Sequence, residues 1–209
     1  MSESTPRRAL IVIDVQNEYI NGNFRIEYPP VELSLGNIAK AMDAAREAGI
    51  PVVAVQHVLP SDAPIFAQDS EGAKLHPVVA ERPYDHLVTK VLPSTFSDAG
   101  FDIWLTNNRV DTLTVIGYMT HNCNDSTIRE AMHRGYHVEF LPDAAGSLPY
   151  RNKSGYASAE ELHRVTTIIL ESAYAAVLST EDWVQGLSNP EHAVRDNIYY
   201  SNQRAIGKM

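Results

Sequence analysis

The most informative stretch of the sequence is Asp111–Asp143, "DTLTVIGYMTHNCNDSTIREAMHRGYHVEFLPD". It opens with a run rich in β-branched and apolar residues, which is typical of a buried strand. From Cys123 the apolar residues recur at helical spacing, and Gly135 is a residue type that commonly ends a helix. The last eight residues are again strand-like. The stretch therefore predicts a strand, a crossover helix and a second strand parallel to the first.

Strand-like and helix-like segments alternate along the rest of the chain. The other strand-like runs are Ala9–Val15, Ile50–Val58 and His86–Leu92. The other helix-like segments are Val31–Gly49, Asp98–Asn108 and Ser158–Thr180, the last being the longest. Residues 59–83 contain prolines and little periodicity, so we expect a long loop or lid there. This alternation predicts an α/β fold with a mostly parallel sheet covered on both faces.

The length of 209 residues fits one domain with a short extension. We expect residues 1–189 to form a single domain and residues 190–209 to form a C-terminal arm. The tail carries Ile198, Tyr199 and Tyr200 among polar residues. Such residues favour an arm that packs on a neighbouring subunit over a disordered end.

Composition excludes several classes of protein. The net charge of -9 argues against nucleic acid as the main partner, because phosphate binding needs a basic surface. A single cysteine cannot form an internal disulfide. There is no apolar stretch of membrane-spanning length and no signal-like N-terminus, so we expect a cytoplasmic protein without membrane contact. The sequence has no glycine-rich phosphate-binding loop, so no nucleotide cofactor is predicted.

Three residues with chemical potential lie at the carboxyl ends of predicted strands, where parallel sheets bind their ligands. These residues are Asp14, Lys90 and Cys123. Asp14 could act as a general base, Lys90 could stabilise negative charge, and Cys123 could act as a nucleophile. Taken singly, Asp14 could instead be a cap or an ion-pair partner, and Lys90 an edge-strand lysine. Their occurrence at one edge favours a shared site.

Cys123 is the residue on which the functional prediction depends. A helix starting there, with Asn122 as N-cap and Asp125 as an acidic capping partner, would place the thiol at a helix N-terminus. That position would lower the pKa of the thiol. The alternative, an inert buried cysteine, is equally compatible with the position alone.

Histidines offer a competing base and a possible metal site. His57 and His121 could each reach the thiol, although His121 is only two residues from Cys123 on a tight turn, so Asp14 is preferred as the base. A metal site could combine His57 and His76 with an aspartate such as Asp62 or Asp69. No pair at ligand spacing supports it, and ordinary loop residues are favoured.

Three segments carry a resemblance to a known family. Ala9–Ile20 ("ALIVIDVQNEYI"), Thr89–Phe96 ("TKVLPSTF") and Val115–Ser147 together resemble the isochorismatase-like cysteine hydrolases. The amidase members of that superfamily include nicotinamidases, N-carbamoylsarcosine amidohydrolases and ureidoacrylate amidohydrolases. The resemblance extends from about Ala9 to about Trp183, in the family's order and spacing.

The resemblance implies a three-layer α/β/α sandwich around a mostly parallel six-stranded sheet. It implies a catalytic triad of Asp14, Lys90 and Cys123, and a cis peptide bond between Tyr118 and Met119. The backbone N–H groups of Met119 and Cys123 would form the oxyanion hole. It also implies a homodimer or homotetramer.

Further expectations concern the substrate pocket and the metal. We expect Gln16, Tyr19, Phe96 and Tyr118, together with Met119, to contact the substrate. Nicotinamidases bind a metal through an Asp-x-His pair and a further histidine, whereas the corresponding segment here reads "QHVLPSDAP". We therefore predict no metal and no other cofactor.

The predicted function is hydrolysis of a C–N bond in a small amide, carbamoyl or ureido compound through a thioester on Cys123. One alternative is an isochorismatase-type vinyl-ether hydrolase that uses Asp14 as an acid and does not need the thiol. Another is a non-enzymatic oligomer that binds a metabolite.

Overall fold

The structure, a computed structural model, describes residues 6–189 and 191–209. Residues 1–5 and residue 190, which belong to the predicted domain and arm, lie outside the described residues. Six strands form one sheet in the order β3-β2-β1-β4-β5-β8, and every neighbouring pair is parallel. The strands are β1 Arg8–Ile13, β2 Val52–His57, β3 His86–Lys90, β4 Thr112–Tyr118, β5 His137–Gly146 and β8 Ala176–Val177.

Helices cover both faces of this sheet, which confirms the three-layer α/β/α architecture. The helices are α1 Val31–Glu47, α2 Pro77–Ala80, α3 Ala99–Asn107, α4 Asp125–His133, α5 Ala159–Ala173, α6 Thr180–Gly186 and α7 Ile198–Ala205. A short antiparallel hairpin, β6 Tyr150–Asn152 with β7 Gly155–Ala157, precedes α5. Among the described residues, no helix combines the length and apolar character that crossing a membrane requires.

Alternating residues of the central strands supply two separate cores. Ile11 and Ile13 of β1 face the layer of α3, α4 and α5, where they join Leu105 and Leu170. Leu10 and Val12 face the opposite layer, whose buried residues include Ile38, Met42 and Trp183. The central strands are therefore apolar on both sides, as expected for a parallel sheet between two helix layers.

The C-terminal part of the sheet differs from the sequence prediction. The predicted helix Ser158–Thr180 ends at Ala173, Ala176–Val177 form strand β8 at the edge of the sheet, and Thr180 begins α6. The longest helix is α1, with 17 residues, and not α5. The alanine-rich segment "SAYAAV" has a high helix propensity, but the pairing of β8 with β5 outweighs that propensity.

The segment 59–83, predicted as a long loop or lid, contains a short helix, isolated β-bridges and buried side chains. It contains α2, and isolated bridges pair Leu59 with Ala67 and Gln16 with Leu75. Phe66 and Val79 are buried in the core. The segment therefore packs over the ends of β1 and β2, beside the edge of the sheet where Asp14 lies.

Candidate active site

The three predicted catalytic residues meet at the carboxyl edge of the sheet. Asp14 directly follows β1 and has a left-handed backbone, with φ of 50°. Lys90 is the last residue of β3, two residues earlier than the predicted strand end. Cys123 lies in a wide π-helical turn, Thr120–Asn124, that joins β4 to α4. Parallel strand order thus brings together residues that are far apart in sequence.

Lys90 lies at the centre of the cluster. Its Nζ donates to Asp14 Oδ2 at 2.7 Å and lies 3.3 Å from Cys123 Sγ. Asp14, Lys90 and Cys123 are all buried. A buried ion pair with short contacts interacts strongly because little water screens it. The cluster therefore combines a carboxylate, an ammonium group and a thiol in a nearly dry environment.

The pKa of the Cys123 thiol is raised, which is opposite to the direction expected from a helix N-terminus. Burial is the largest cause, and the negative charge of Asp14 adds to it. The positive charge of Lys90 lowers the pKa but does not compensate. The resting sulfur is accordingly a neutral thiol that needs a base to become a nucleophile.

Lys90 keeps its proton in this cluster. Burial would lower the pKa of its ammonium group, but the negative charge of Asp14 and the hydrogen bonds to Asp14 and to the Cys123 sulfur raise it overall. Asp14 Oδ1 is buried and makes no hydrogen bond to any residue of the described chain. One carboxylate oxygen is therefore held by Lys90, while the other is available to accept a proton.

The turn that carries Cys123 differs from the predicted helix start. The chain enters the turn after a cis peptide bond between Tyr118 and Met119. Asn122 lies inside the turn, so it is not the N-cap, and the predicted start of the helix at Cys123 was wrong. Asp125 pairs with Arg129 one turn later and does not serve as a capping partner. The cause is the π-helical turn, which has five residues and no side-chain cap.

The histidines near the site are poor bases for the thiol. His57 Nδ1 lies 3.5 Å from Lys90 Nζ, and burial and the charge of Lys90 lower the pKa of His57. His121 Nδ1 lies 2.9 Å from Ser147 Oγ, and burial lowers the pKa of His121 to about 4. In residues 6–189 and 191–209, no three or more His, Cys, Asp or Glu side chains are grouped to hold a metal ion.

Two of the predicted pocket residues are engaged by the protein itself. The Gln16 amide donates to the carbonyls of His57 and Ala73 and accepts from the N–H of His57, so it ties β1 to β2 and to segment 59–83. The Tyr118 hydroxyl lies 2.7 Å from Ser34 Oγ on the α1 side of the sheet. A role for these two residues in substrate contact stays a prediction.

Tyr19 and Phe96 occupy different surroundings. Tyr19 is buried and its ring lies 5.6 Å from that of Tyr118, directly before Met119; burial and its electrostatic interactions with Cys123 and Asp14 raise its pKa well above the usual value. Phe96 packs edge-on against Phe101, with a centroid distance of 4.9 Å. Tyr19 is therefore better placed to contact a substrate than Phe96.

The sequence patterns missed Tyr150, which the structure brings close to the thiol. Its ring lies 4.8 Å from that of His121, two residues before Cys123, and burial and its electrostatic interaction with Cys123 raise the pKa of Tyr150. Tyr150 begins hairpin strand β6, which follows the long strand β5. A strand-end rule cannot find such a residue, because its position depends on a hairpin folding back over the edge of the sheet.

Comparisons with known proteins agree with this architecture. The Isochorismatase domain model matches residues 8–182. A crystal structure of a protein from Burkholderia xenovorans LB400 is 57% identical over 98% of this chain and 99% of that chain, with a TM-score of 0.96. The secreted isochorismatase effector Isc1 of Verticillium dahliae is 30% identical over 86% of this chain and 91% of its own length.

A more distant relative is an amidohydrolase. The ureidoacrylate amidohydrolase of Methylobacterium radiotolerans is 26% identical over 88% of this chain and 81% of its own length. The family model spans most of the chain, including β1, β3 and the turn with Cys123. The chain belongs to the isochorismatase family of hydrolases.

Proposed function

We propose that the protein is a cysteine amidohydrolase that cleaves a C–N bond in a small amide, carbamoyl or ureido compound. One observation carries the proposal. Lys90 Nζ lies 2.7 Å from Asp14 Oδ2 and 3.3 Å from Cys123 Sγ, while Asp14 Oδ1 has no partner among the described residues. This arrangement supplies a base, a fixed cation and a nucleophile in one buried cluster.

The proton movements follow from the protonation states. Asp14 takes the proton of the neutral Cys123 thiol as Sγ attacks the substrate carbonyl carbon. The electron pair of the C=O bond moves to oxygen, and the N–H groups of Met119 and Cys123 are proposed to hold the resulting oxyanion. Asp14 then gives the proton to the leaving nitrogen as the C–N bond breaks.

The thioester that remains is hydrolysed by water. Asp14, again a carboxylate, takes a proton from the attacking water, and the new tetrahedral intermediate expels Cys123 Sγ. The proton returns to sulfur, so that the acid product leaves and the resting state is restored. Lys90 stays protonated throughout and keeps the carboxylate and the sulfur in place.

The proposal is tested with a panel of small amides and ureido compounds and with detection of released ammonia. We expect wild-type turnover on at least one compound, and loss of about 10³-fold or more in Cys123→Ala, because no other nucleophile replaces the thiol. Mass spectrometry during turnover should show the acyl group attached to Cys123. Release of ammonia by Cys123→Ala at the wild-type rate would contradict the mechanism.

A vinyl-ether hydrolase is the second candidate, since the family model and several relatives carry the isochorismatase name. In that reaction Asp14 would act as an acid and the thiol would be dispensable. Cleavage of isochorismate that persists in Cys123→Ala and is lost in Asp14→Asn would favour it. A wild type that releases ammonia from an amide and does not cleave isochorismate would favour the amidohydrolase.

A further inference from the structure

Asn124 follows Cys123 directly and is fully buried. Its side-chain Nδ2 donates to the Gly117 carbonyl at 2.8 Å. Its backbone N–H donates to the Met119 carbonyl at 3.1 Å. One residue therefore holds the carbonyl groups on both sides of Tyr118, at the point where β4 leaves the sheet and turns toward the nucleophile.

Capping of α4 does not explain the asparagine. Asn124 is at the N-cap position, where asparagine commonly accepts a hydrogen bond from the first turn, but its backbone is helical and its side chain makes no cap hydrogen bond. Packing does not explain it either. Asn124 Oδ1 is buried without a hydrogen-bond partner among the described residues, which is unfavourable in comparison with an apolar side chain.

The hydrogen bond from Nδ2 to Gly117 remains as the reason for an asparagine at this position. It connects the residue after the nucleophile to the backbone that precedes Met119. The N–H of Met119 can stabilise an oxyanion only if its peptide is held in a fixed direction before the reaction. The side-chain amide of Asn124, bonded to the Gly117 carbonyl, adds to the backbone hydrogen bond from Asn124 N–H to the Met119 carbonyl and supplies that constraint.

We propose that Asn124 is a positioning residue that orients the Met119 peptide for oxyanion binding. The inference rests on the proposed function, because it assigns the oxyanion to the N–H groups of Met119 and Cys123. Asn124 acts through the backbone and does not touch the substrate. Its loss should impair stabilisation of the tetrahedral oxygen and leave the reactivity of the thiol unchanged.

Capture of an aldehyde tests this directly and needs no knowledge of the natural amide. Cys123 Sγ adds to the aldehyde carbon, the C=O electron pair moves to oxygen, and that oxygen takes the proton lost by sulfur. The tetrahedral adduct places its oxygen at the oxyanion site. Because Cys123 is the only cysteine, protection from alkylation by iodoacetamide measures adduct formation. Acetaldehyde and benzaldehyde serve as probes of two sizes.

In Asn124→Leu we expect the aldehyde dissociation constant to rise by about tenfold or more, since one oxyanion donor contributes roughly 10²–10³-fold to catalysis. Alkylation without aldehyde should stay within about twofold of wild type, since burial, Asp14 and Lys90 set the pKa of the thiol. On an amide that the wild type hydrolyses, kcat should fall by about tenfold or more with little change in KM.

Thr127→Val is the matched control. Thr127 is buried in α4, one turn after Asn124, and its Oγ1 accepts from the N–H of Thr95, away from Gly117 and Met119. Its loss should change neither aldehyde affinity nor kcat by more than about twofold. Asn124→Ala serves as a second variant should Asn124→Leu fail to fold, and thermal melting reports the folding of each variant.

Unchanged aldehyde protection in a folded Asn124 variant would overturn the inference. The inference also fails if no aldehyde protects Cys123 of the wild type from alkylation. It fails if the Asn124 variant loses alkylation rate without aldehyde by the same factor as it loses aldehyde affinity, or if Thr127→Val loses as much aldehyde affinity. Failure of the wild type to hydrolyse any amide, with aldehyde capture still dependent on Asn124, would contradict the proposed function and support the positioning role.

Discussion

Asp14 has two opposing effects on Cys123. As a negative charge in a buried cluster it raises the pKa of the thiol and so reduces the resting thiolate. As the proposed base it is needed to remove the thiol proton during attack. Lys90 lowers the pKa of the same thiol and bonds to Asp14. Asp14 therefore suppresses the reactivity of the resting thiol, whereas Lys90 limits that effect and holds the carboxylate where it can take the proton during attack.

Asp14→Asn should make the thiol more reactive and the enzyme less active. Removal of the carboxylate removes a cause that raises the pKa of Cys123, while Lys90 still lowers it, so more thiolate is present at pH 7. We expect faster alkylation by iodoacetamide and loss of amide turnover by about 10²–10⁴-fold. The measurements are alkylation rates from pH 6 to 10 and ammonia release.

The pH profile of alkylation, measured also in Lys90→Met, shows whether each charge raises or lowers the pKa of Cys123. In wild type the alkylation rate should still rise tenfold per pH unit through pH 9, because the thiol is protonated there. In Asp14→Asn the profile should move to lower pH, and in Lys90→Met, which removes the cation that lowers the pKa of Cys123, it should move to higher pH. Slower alkylation in Asp14→Asn than in wild type would contradict the assigned role of the carboxylate.

The site lies at the paired carboxyl ends of β1 and β4. Gly117 of β4 pairs with Ile13 of β1, directly before Asp14. Gly117 has φ of 101°, and a Cβ atom there would lie 2.1 Å from the Ile13 carbonyl oxygen. Only glycine permits this contact. The distance between base and nucleophile therefore depends on a backbone contact between two strands.

Gly117→Ala should disrupt this edge of the sheet. The added methyl group would meet backbone atoms that cannot move without separating β1 from β4, so we expect a loss of roughly 3 kcal/mol or more in the free energy of unfolding. Amide turnover should be lost with it. Chemical denaturation followed by circular dichroism measures the change.

Gly36→Ala is the matched control. Gly36 lies inside α1, and a Cβ atom there would meet nothing within 4 Å. Replacing a helical glycine by alanine should stabilise the protein by about 0.5–1 kcal/mol. Equal effects of the two substitutions would show that the close approach of Gly117 to Ile13 has no energetic importance.

Viewed across the whole molecule, sequence patterns identified the central strands and the edge that carries the site. Those strands are long, apolar and separated by amphipathic helices, so local patterns suffice. Strand β8 was hidden in an alanine-rich run that also suits a helix. The direction of the pKa shift at Cys123 depends on burial and on the carboxylate of Asp14, which lies 109 residues earlier in the chain. The proposed role of Asn124 depends on its hydrogen bond to the Gly117 carbonyl. Tertiary contacts alone determine these features.

The outer surface carries two apolar areas on neighbouring helices. Helix α5 exposes Val165, Ile168 and Ile169, whereas its buried side includes His163 and Leu170. Helix α7 contacts α5, and exposed aliphatic and aromatic residues lie on it and directly after it: Ile198, Tyr199, Tyr200 and Ile206. Exposed apolar residues concentrated on two adjoining helices favour association with a further subunit. We therefore retain the C-terminal arm as a proposed contact between copies of this chain.

Ile198→Glu should weaken that association. A carboxylate in an apolar contact would lose hydration without gaining a partner. The variant oligomer should therefore dissociate at a higher protein concentration than the wild-type oligomer. Ile103→Glu is the control, because Ile103 of α3 is similarly exposed, at 62% against 67% for Ile198, but lies outside the two apolar areas. Light scattering coupled to size-exclusion chromatography measures the mass. A monomeric wild type at micromolar concentration, or dissociation caused by Ile103→Glu alone, would refute the arm as a subunit contact.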